Sequence, residues 1–151
     1  MKGLKFFAFA TMLSGMSHAS SIEVLQNLNF GIIVAYENSR ESILNMTPYG
    51  EVSSTNELYI FKRGEPAVLQ LKGFPANKQI YISDCRCEVK IQNQHSSNFF
   101  LIKRLNLVDK AFTDVYGEAE IKIGAILATS GNGQPYVDGS YTGKVSIVIE
   151  Y

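Results

Sequence analysis

Side-chain character alternates with a period of two along most of the chain. In PAVLQLKG, residues 66–73, Ala67, Leu69 and Leu71 oppose Val68, Gln70 and Lys72. In EAEIKIGA, residues 118–125, Ala119, Ile121, Ile123 and Ala125 oppose Glu118, Glu120, Lys122 and Gly124. Successive side chains of a strand point to opposite faces, so this alternation is that of half-buried β-strands. IYIS adds Ile80 and Ile82 on one face. The closing segment, GSYTGKVSIVIEY, residues 139–151, puts Tyr141, Val145, Ile147, Ile149 and Tyr151 on one face, with Gly143 among them. Ser140, Thr142, Lys144, Ser146 and Glu150 fall on the other, and only Val148 breaks that polar face. SIEVLQNLNFG, SILNMTP, NELYIFK and NFFLIKRLNL supply further candidates rich in Ile, Val, Phe and Tyr.

Turn chemistry separates these runs: Pro48 with Gly50, Arg63 to Pro66, Gly73 to Asn77, and SGNGQPYVDG at 130–139. Beyond the first segment no long window repeats an apolar residue every third or fourth position. The spacing predicts an all-β domain, a sandwich of short antiparallel strands or a small barrel. A membrane barrel needs strands of about 9 to 11 residues facing lipid, and NELYIFK and PAVLQLK are too short to cross.

The first segment, MKGLKFFAFATMLSGMSHA, changes the picture. Lys2 and Lys5 precede an apolar stretch from Phe6 to Leu13, and Ser17 and Ala19 are small residues around a cut. That is the order of a secretory signal peptide, and the stretch is short of the roughly 20 residues a spanning helix needs. Residues 1–19 are therefore expected to be removed, leaving 151 − 19 = 132 residues, 20–151, as one domain with one core. Export places the chain in the periplasm, at the cell surface or outside the cell. Losing Lys2 and Lys5 takes the basic count from 14 to 12 against 14 acids, a charge near −2 with no basic stripe for nucleic acid. The mature chain is not expected to span a membrane.

An exported chain can hold disulfides, and the two cysteines are Cys85 and Cys87 in DCRCE. Residues i and i+2 of a regular strand lie at or just beyond the usual Cα separation of a disulfide, roughly 4.4 to 6.8 Å, so a closed pair needs a bend. The readings, in order, are a strained local disulfide, two free thiols, and pairing between chains. No metal site is expected, because two thiolates one residue apart lack a four-ligand set and His95 has no His partner once His18 is removed. His95 reads as a loop residue. No nucleophile elbow, zinc-protease helix or phosphate-cradling loop is present. Asp84, Glu88, Asp109 and Asp114 read as solvated charges at strand ends rather than a glycosidase pair. The most site-like loop is SGNGQPYVDG, with Tyr136 and Asp138, which suits sugar or calcium but equally a long hairpin connection. Asn45-Met46-Thr47 fits a glycosylation acceptor but lies in an expected strand. No enzyme activity and no cofactor are expected.

The segments LNFG at 28–31, TPYG at 47–50, GEPA at 64–67, LKG at 71–73, EIKIGAIL at 120–127 and the closing GSYTGKVSIVIEY carry a resemblance. In that order they resemble the small secreted bacterial proteins of the domain of unknown function 4402 family, itself similar to spore coat protein U and to subunits of chaperone-usher pili. The resemblance covers residues 28–151 and implies an Ig-like or pilin-like sandwich with a structural or adhesive role at the cell surface. Its implied partners are other subunits or a periplasmic chaperone, through addition of a strand to a sheet edge, and it brings no catalytic residues. The Cys-x-Cys and the charged residues between strands depart from the family pattern. Tyr141, Val145, Ile147, Ile149 and Tyr151 are the residues this reading assigns to strand pairing. The alternative is a self-contained carbohydrate-binding or adhesin module, with exposed tyrosines such as Tyr49 or Tyr136 stacking on sugar in a chain that has no Trp.

Intact mass of exported protein tests the processing directly. The expected mass is that of a chain beginning at Ser20; a chain that retains Met1 or carries a lipid at its terminus overturns the export argument.

Overall fold

A computed structural model describes residues 19–84 and 88–151. The elements among them are all strands: β1 (Ser21–Gln26), β2 (Asn29–Ala35), β3 (Ile43–Met46), β4 (Val52–Ser54), β5 (Leu58–Glu65), β6 (Ala67–Lys72), β7 (Gln79–Asp84), β8 (Val89–Gln92), β9 (Phe99–Leu107), β10 (Lys110–Phe112), β11 (Ala119–Ala128) and β12 (Ile147–Glu150). Every pairing between them is antiparallel. The all-β, sandwich-like class expected from the alternation is the class observed. Residues 1–18 of the expected leader fall outside the described residues, as do Cys85 and Cys87.

The longest strand, β11, organises the large sheet. Ile123 pairs with Ala67 of β6 and with Leu107 of β9, so those two strands lie on opposite edges of β11. Ala125 likewise pairs with Met46 of β3 and Leu105 of β9. One edge of β11 is thus taken by β9 alone, while the other is shared, first by β6 and then by β3. β1 extends the sheet beyond β6, β4 beyond β3 and β8 beyond β9. A second sheet has β7 at its centre, flanked by β10 and β12, and β2 pairs with β5 in a separate ribbon.

The odd-numbered side chains of β11 point inward along its whole length and serve two apolar clusters. Ile121 and Ile123 join Leu69, Leu71, Phe74, Ile80 and Ile82 under the three-stranded sheet. Ala125 and Leu127 join Leu44, Met46, Leu58, Ile91, Phe100 and Ile102, against which the ribbon packs Phe30, Ile33, Ala35 and Ile60. Asp84 fastens the sheets across the core, its Oδ2 accepting a hydrogen bond from the Leu105 amide at 3.2 Å.

Gly124 sits where β3 leaves the shared edge and β6 arrives. A Cβ there would overlap the Met46 carbonyl oxygen. On the other edge Gly124 faces Asn106, whose amide reaches across to the Met46 carbonyl at 2.8 Å and to Asn45 Oδ1 at 2.7 Å. The missing side chain at Gly124 is what lets three strands converge there.

Three expectations are revised. The expected turn from Arg63 to Pro66 is mostly strand, because β5 runs on to Glu65 in its pairing with β2 and only Pro66 separates it from β6. SIEVLQNLNFG is two strands in different sheets, β1 in the large sheet and β2 in the ribbon, separated by Asn27 and Leu28. The closing strand is confined to 147–150. Upstream of it the chain makes only an isolated bridge, Thr142 with Gln92, because the Tyr141 ring is drawn edge-on against Phe100 at 5.1 Å and Tyr136 at 5.9 Å. That commits residues 141 and 142 to the large sheet before the chain returns to β7.

Leu127→Ala and Ile121→Ala, one in each cluster, should each cost about 2 to 5 kcal/mol of stability, whereas the exposed Glu120→Ala should stay within about 0.5 kcal/mol. Because β11 spans both clusters, denaturant melts of either core variant should remain single transitions. Two resolved transitions would show that the clusters fold independently.

Candidate functional site

The inner face of the sandwich is uncovered along one seam. Leu71 of β6 pairs with Ala119 on one edge and Ile22 of β1 on the other, so β1 is outermost, and its far edge has no strand partner among the described residues. In the opposite sheet Tyr81 of β7 pairs with Lys110 and with Glu150, which makes β12 an outer strand too, also with one edge unpaired among the described residues. The two edges meet at one end, where Ser20 Oγ and the Tyr151 hydroxyl are 3.1 Å apart.

Directly paired residues of antiparallel strands share a face. Ile22 pairs with Leu71 and Val24 with Leu69, both core residues, so Ile22 and Val24 point toward the inside of the sandwich. They are nevertheless 47% and 55% exposed. Across the seam Ile149 pairs with Ile82, and Ile147 with Asp84. Both isoleucines pack on the lower cluster and are only partly buried. The two unpaired edges approach at the Tyr151 end and part toward the start of β12, where Val145 and Ser146 lie against Val89, Ile102 and Leu105 of β8 and β9.

Of the residues assigned to strand pairing, the structure brings Tyr151 to this seam, with Ile149 two residues before it, while Ile147 lies toward β9 beside Asp84. The Tyr151 ring lies edge-on to Phe74 at 4.9 Å and remains exposed. Val145 precedes the strand and is exposed rather than buried. Tyr141 belongs to the upper cluster. Ile22 and Val24 were missed as site residues, although the alternation of Ser21, Ile22, Glu23 and Val24 carries the signal.

The loop at 130–139 turns its polar groups inward. Asn38, 3% exposed, donates from Nδ2 to Ser130 Oγ at 2.7 Å and to Asn132 Oδ1 and the Gln134 carbonyl at 2.9 Å, and accepts from the Gly131 amide at 2.8 Å. Asn98 accepts from Ser130 Oγ at 2.8 Å and donates to the Gln134 carbonyl at 2.9 Å. Tyr136 is no sugar platform: its ring stacks on Phe100 at 4.1 Å, and its hydroxyl donates to the Phe99 carbonyl at 2.8 Å and accepts from the Ser130 amide at 2.9 Å. These groups are spent on one another, so the arrangement is a structural lock on the upper cluster.

The carboxylates singled out in the sequence lie apart in role. Asp84 holds the Leu105 amide, Glu88 pairs with Lys103 at 3.3 Å, and Asp114 Oδ1 accepts the Tyr116 and Glu118 amides at 2.9 Å in a turn. Among the described residues no group of three His, Cys, Asp or Glu side chains could hold a metal ion. His95 is exposed in a loop, its amide donating to Asn93 Oδ1 at 2.7 Å. Asn45 spends its side-chain oxygen on Asn106. Tyr49 lines a groove of about 290 Å³ between the two sheets beside β10, together with Ile82, Ala111, Ile121 and Ile123. On the ribbon, the exposed rings of Tyr36 and Tyr59 lie 6.4 Å apart, with Phe61 exposed at the adjacent bulge.

Comparison with known proteins finds no matching family model, no matching curated protein and no matching solved structure. No helix among the described residues is long and apolar enough to cross a membrane.

Burial against Phe100 pushes the Tyr136 phenol above its ordinary pKa, and the Ser130 hydrogen bond partly offsets this. A raised folded pKa means that the stability tied to the neutral phenol is fully present below the unfolded value, about 10, and is lost as pH rises through the folded one. Tyr136→Phe should therefore lose less stability than the wild type between neutral and strongly alkaline pH. At neutral pH it should be less stable by about 1 to 3 kcal/mol, because the part-buried Ser130 amide loses its acceptor and the Phe99 carbonyl its donor. Parallel pH series of thermal melts would reveal an equal alkaline loss in both proteins if Tyr136 is not the group responsible.

Proposed function

We propose that this chain is an exported, non-enzymatic subunit with an Ig-like or pilin-like sandwich, which acts at a cell surface by accepting an extended strand from another chain into the seam between β1 and β12. The observation that carries this reading is the pair of inner-face side chains, Ile22 and Val24, left half-exposed beside an unpaired edge. An inserted strand would hydrogen-bond to the β1 edge, reaching β12 near Tyr151, and set alternate side chains against Ile22 and Val24. Covering the exposed halves of Ile22 and Val24 would contribute on the order of 1 kcal/mol each, and pairing would remove the β1 edge, which otherwise invites aggregation. The export signal read in residues 1–19 and the short motifs similar to the domain of unknown function 4402 family support the same role. The partner is another subunit or a periplasmic chaperone. Ser21–Gln26 is already hydrogen-bonded to β6, so in this state the segment belongs to its own sheet rather than to a donor arm.

A second reading, a carbohydrate-binding or adhesin module, is favoured by the exposed rings of Tyr36, Tyr59 and Phe61 on the ribbon. It places the ligand on a different surface from the seam, so a glycan array with Tyr59→Ala as control separates the two.

The seam is tested by adding a synthetic extended peptide, with Ile or Val at alternate positions, to the mature protein. Binding should raise the melting temperature and slow amide exchange in β1 and β12, and Val24→Asp should weaken it. Failure of such peptides to bind, with β1 and β12 amides already protected in the isolated protein, would sink the proposal.

A further inference from the structure

Asn132–Gly133 is the single Asn-Gly dipeptide in the sequence, and the lock on the 130–139 loop is built around it. Both residues are exposed. Gly133 has φ +77°, and a Cβ placed on it would meet nothing within 4 Å. A side chain on the following residue normally shields an asparagine from attack by the next backbone nitrogen; here there is none.

We propose that Asn132 is a site of self-modification, a deamidation held in check by Asn38. The inference is independent of the seam. In the reaction the Gly133 nitrogen, having lost its proton to hydroxide, attacks Asn132 Cγ. An N–Cγ bond forms, the Cγ–Nδ2 bond breaks, and Nδ2 takes a proton from water and leaves as ammonia. Water then opens the resulting five-membered imide, at Cγ to give aspartate or at the main-chain carbonyl to give isoaspartate. Nothing is oxidised or reduced, and water is the only co-reactant.

The folded loop opposes each requirement of that attack. The Gly133 amide proton is donated to the Asn38 carbonyl at 2.6 Å, so it is held where it must be lost. The Asn132 side chain is held by its Oδ1, which accepts from Asn38 Nδ2 and from the Gln134 amide, both at 2.9 Å. That is an Asx turn pinned by a buried neighbour, and it fixes Cγ against the rotation an attack needs. Local opening of the loop releases the proton and the side chain together, so the reaction rate follows the population of the open loop. The product cannot restore the lock. Asn132 Nδ2 lies 3.4 Å from Asn98 Oδ1; a carboxylate there sets two oxygens against each other, and isoaspartate also lengthens the main chain by one atom.

The experiment incubates the mature protein in native buffer and in urea at the same pH and temperature, and follows the peptide containing residues 130–136 by mass spectrometry. Conversion of Asn132 should be about tenfold slower or more in the native protein. It should be faster in Asn38→Ala than in the wild type, under native conditions in which that variant still melts cooperatively. Asn132→Asp should melt at a lower temperature than the wild type, whereas the loop opening itself should leave peptide binding at the seam unchanged. Equal rates in native buffer and urea would overturn the proposal, as would conversion in urea at other asparagines as fast as at Asn132. The wild-type comparison needs no variant, so an unfolded Asn38→Ala does not blunt it.

Discussion

One strand bears the cost of every misplacement in this fold. β11 offers four inward side chains, Ile121, Ile123, Ala125 and Leu127, to two clusters, and its two edges to three neighbours. A slip of one residue in its register would turn all four away from both clusters at once. The hand-over between β3 and β6 works only because Gly124 leaves room for the Met46 carbonyl and for the Asn106 amide that spans the gap. The small sheet and the ribbon each cover one half of this strand's inner face.

The parts of the fold that could be read in the sequence are those whose side chains see one apolar and one polar environment. β6, β7 and β11 alternate cleanly and were found with their faces correctly assigned. β4, β8 and β10 span three or four residues each, too few for a period to show. The closing segment was over-read for the opposite reason. Tyr141 keeps the phase of the alternation, but an aromatic pocket formed by Phe100 and Tyr136 takes its ring into a different cluster. Tertiary packing overrode a local pattern that was otherwise consistent.

The candidate site was legible only in part. Ile147 and Ile149 were picked out by their place in a patterned strand, yet what makes a seam is the relation between β12 and β1, and no local pattern reports which edges lack neighbours. The lock at 130–139 was equally hidden. Its amides and hydroxyls look like those of a ligand loop until Asn38 and Asn98, remote in sequence, are seen to satisfy them.

The meeting of Ser20 and Tyr151 at one end of the seam has a mechanical consequence. Tension that drew those two residues apart would break that contact and then peel β1 from β6 and β12 from β7 one hydrogen bond at a time, like a zip. Tension applied along β1 from end to end would run parallel to its ladder with β6 and load those hydrogen bonds together in shear. The same domain would then be compliant to one direction of pull and stiff to the other.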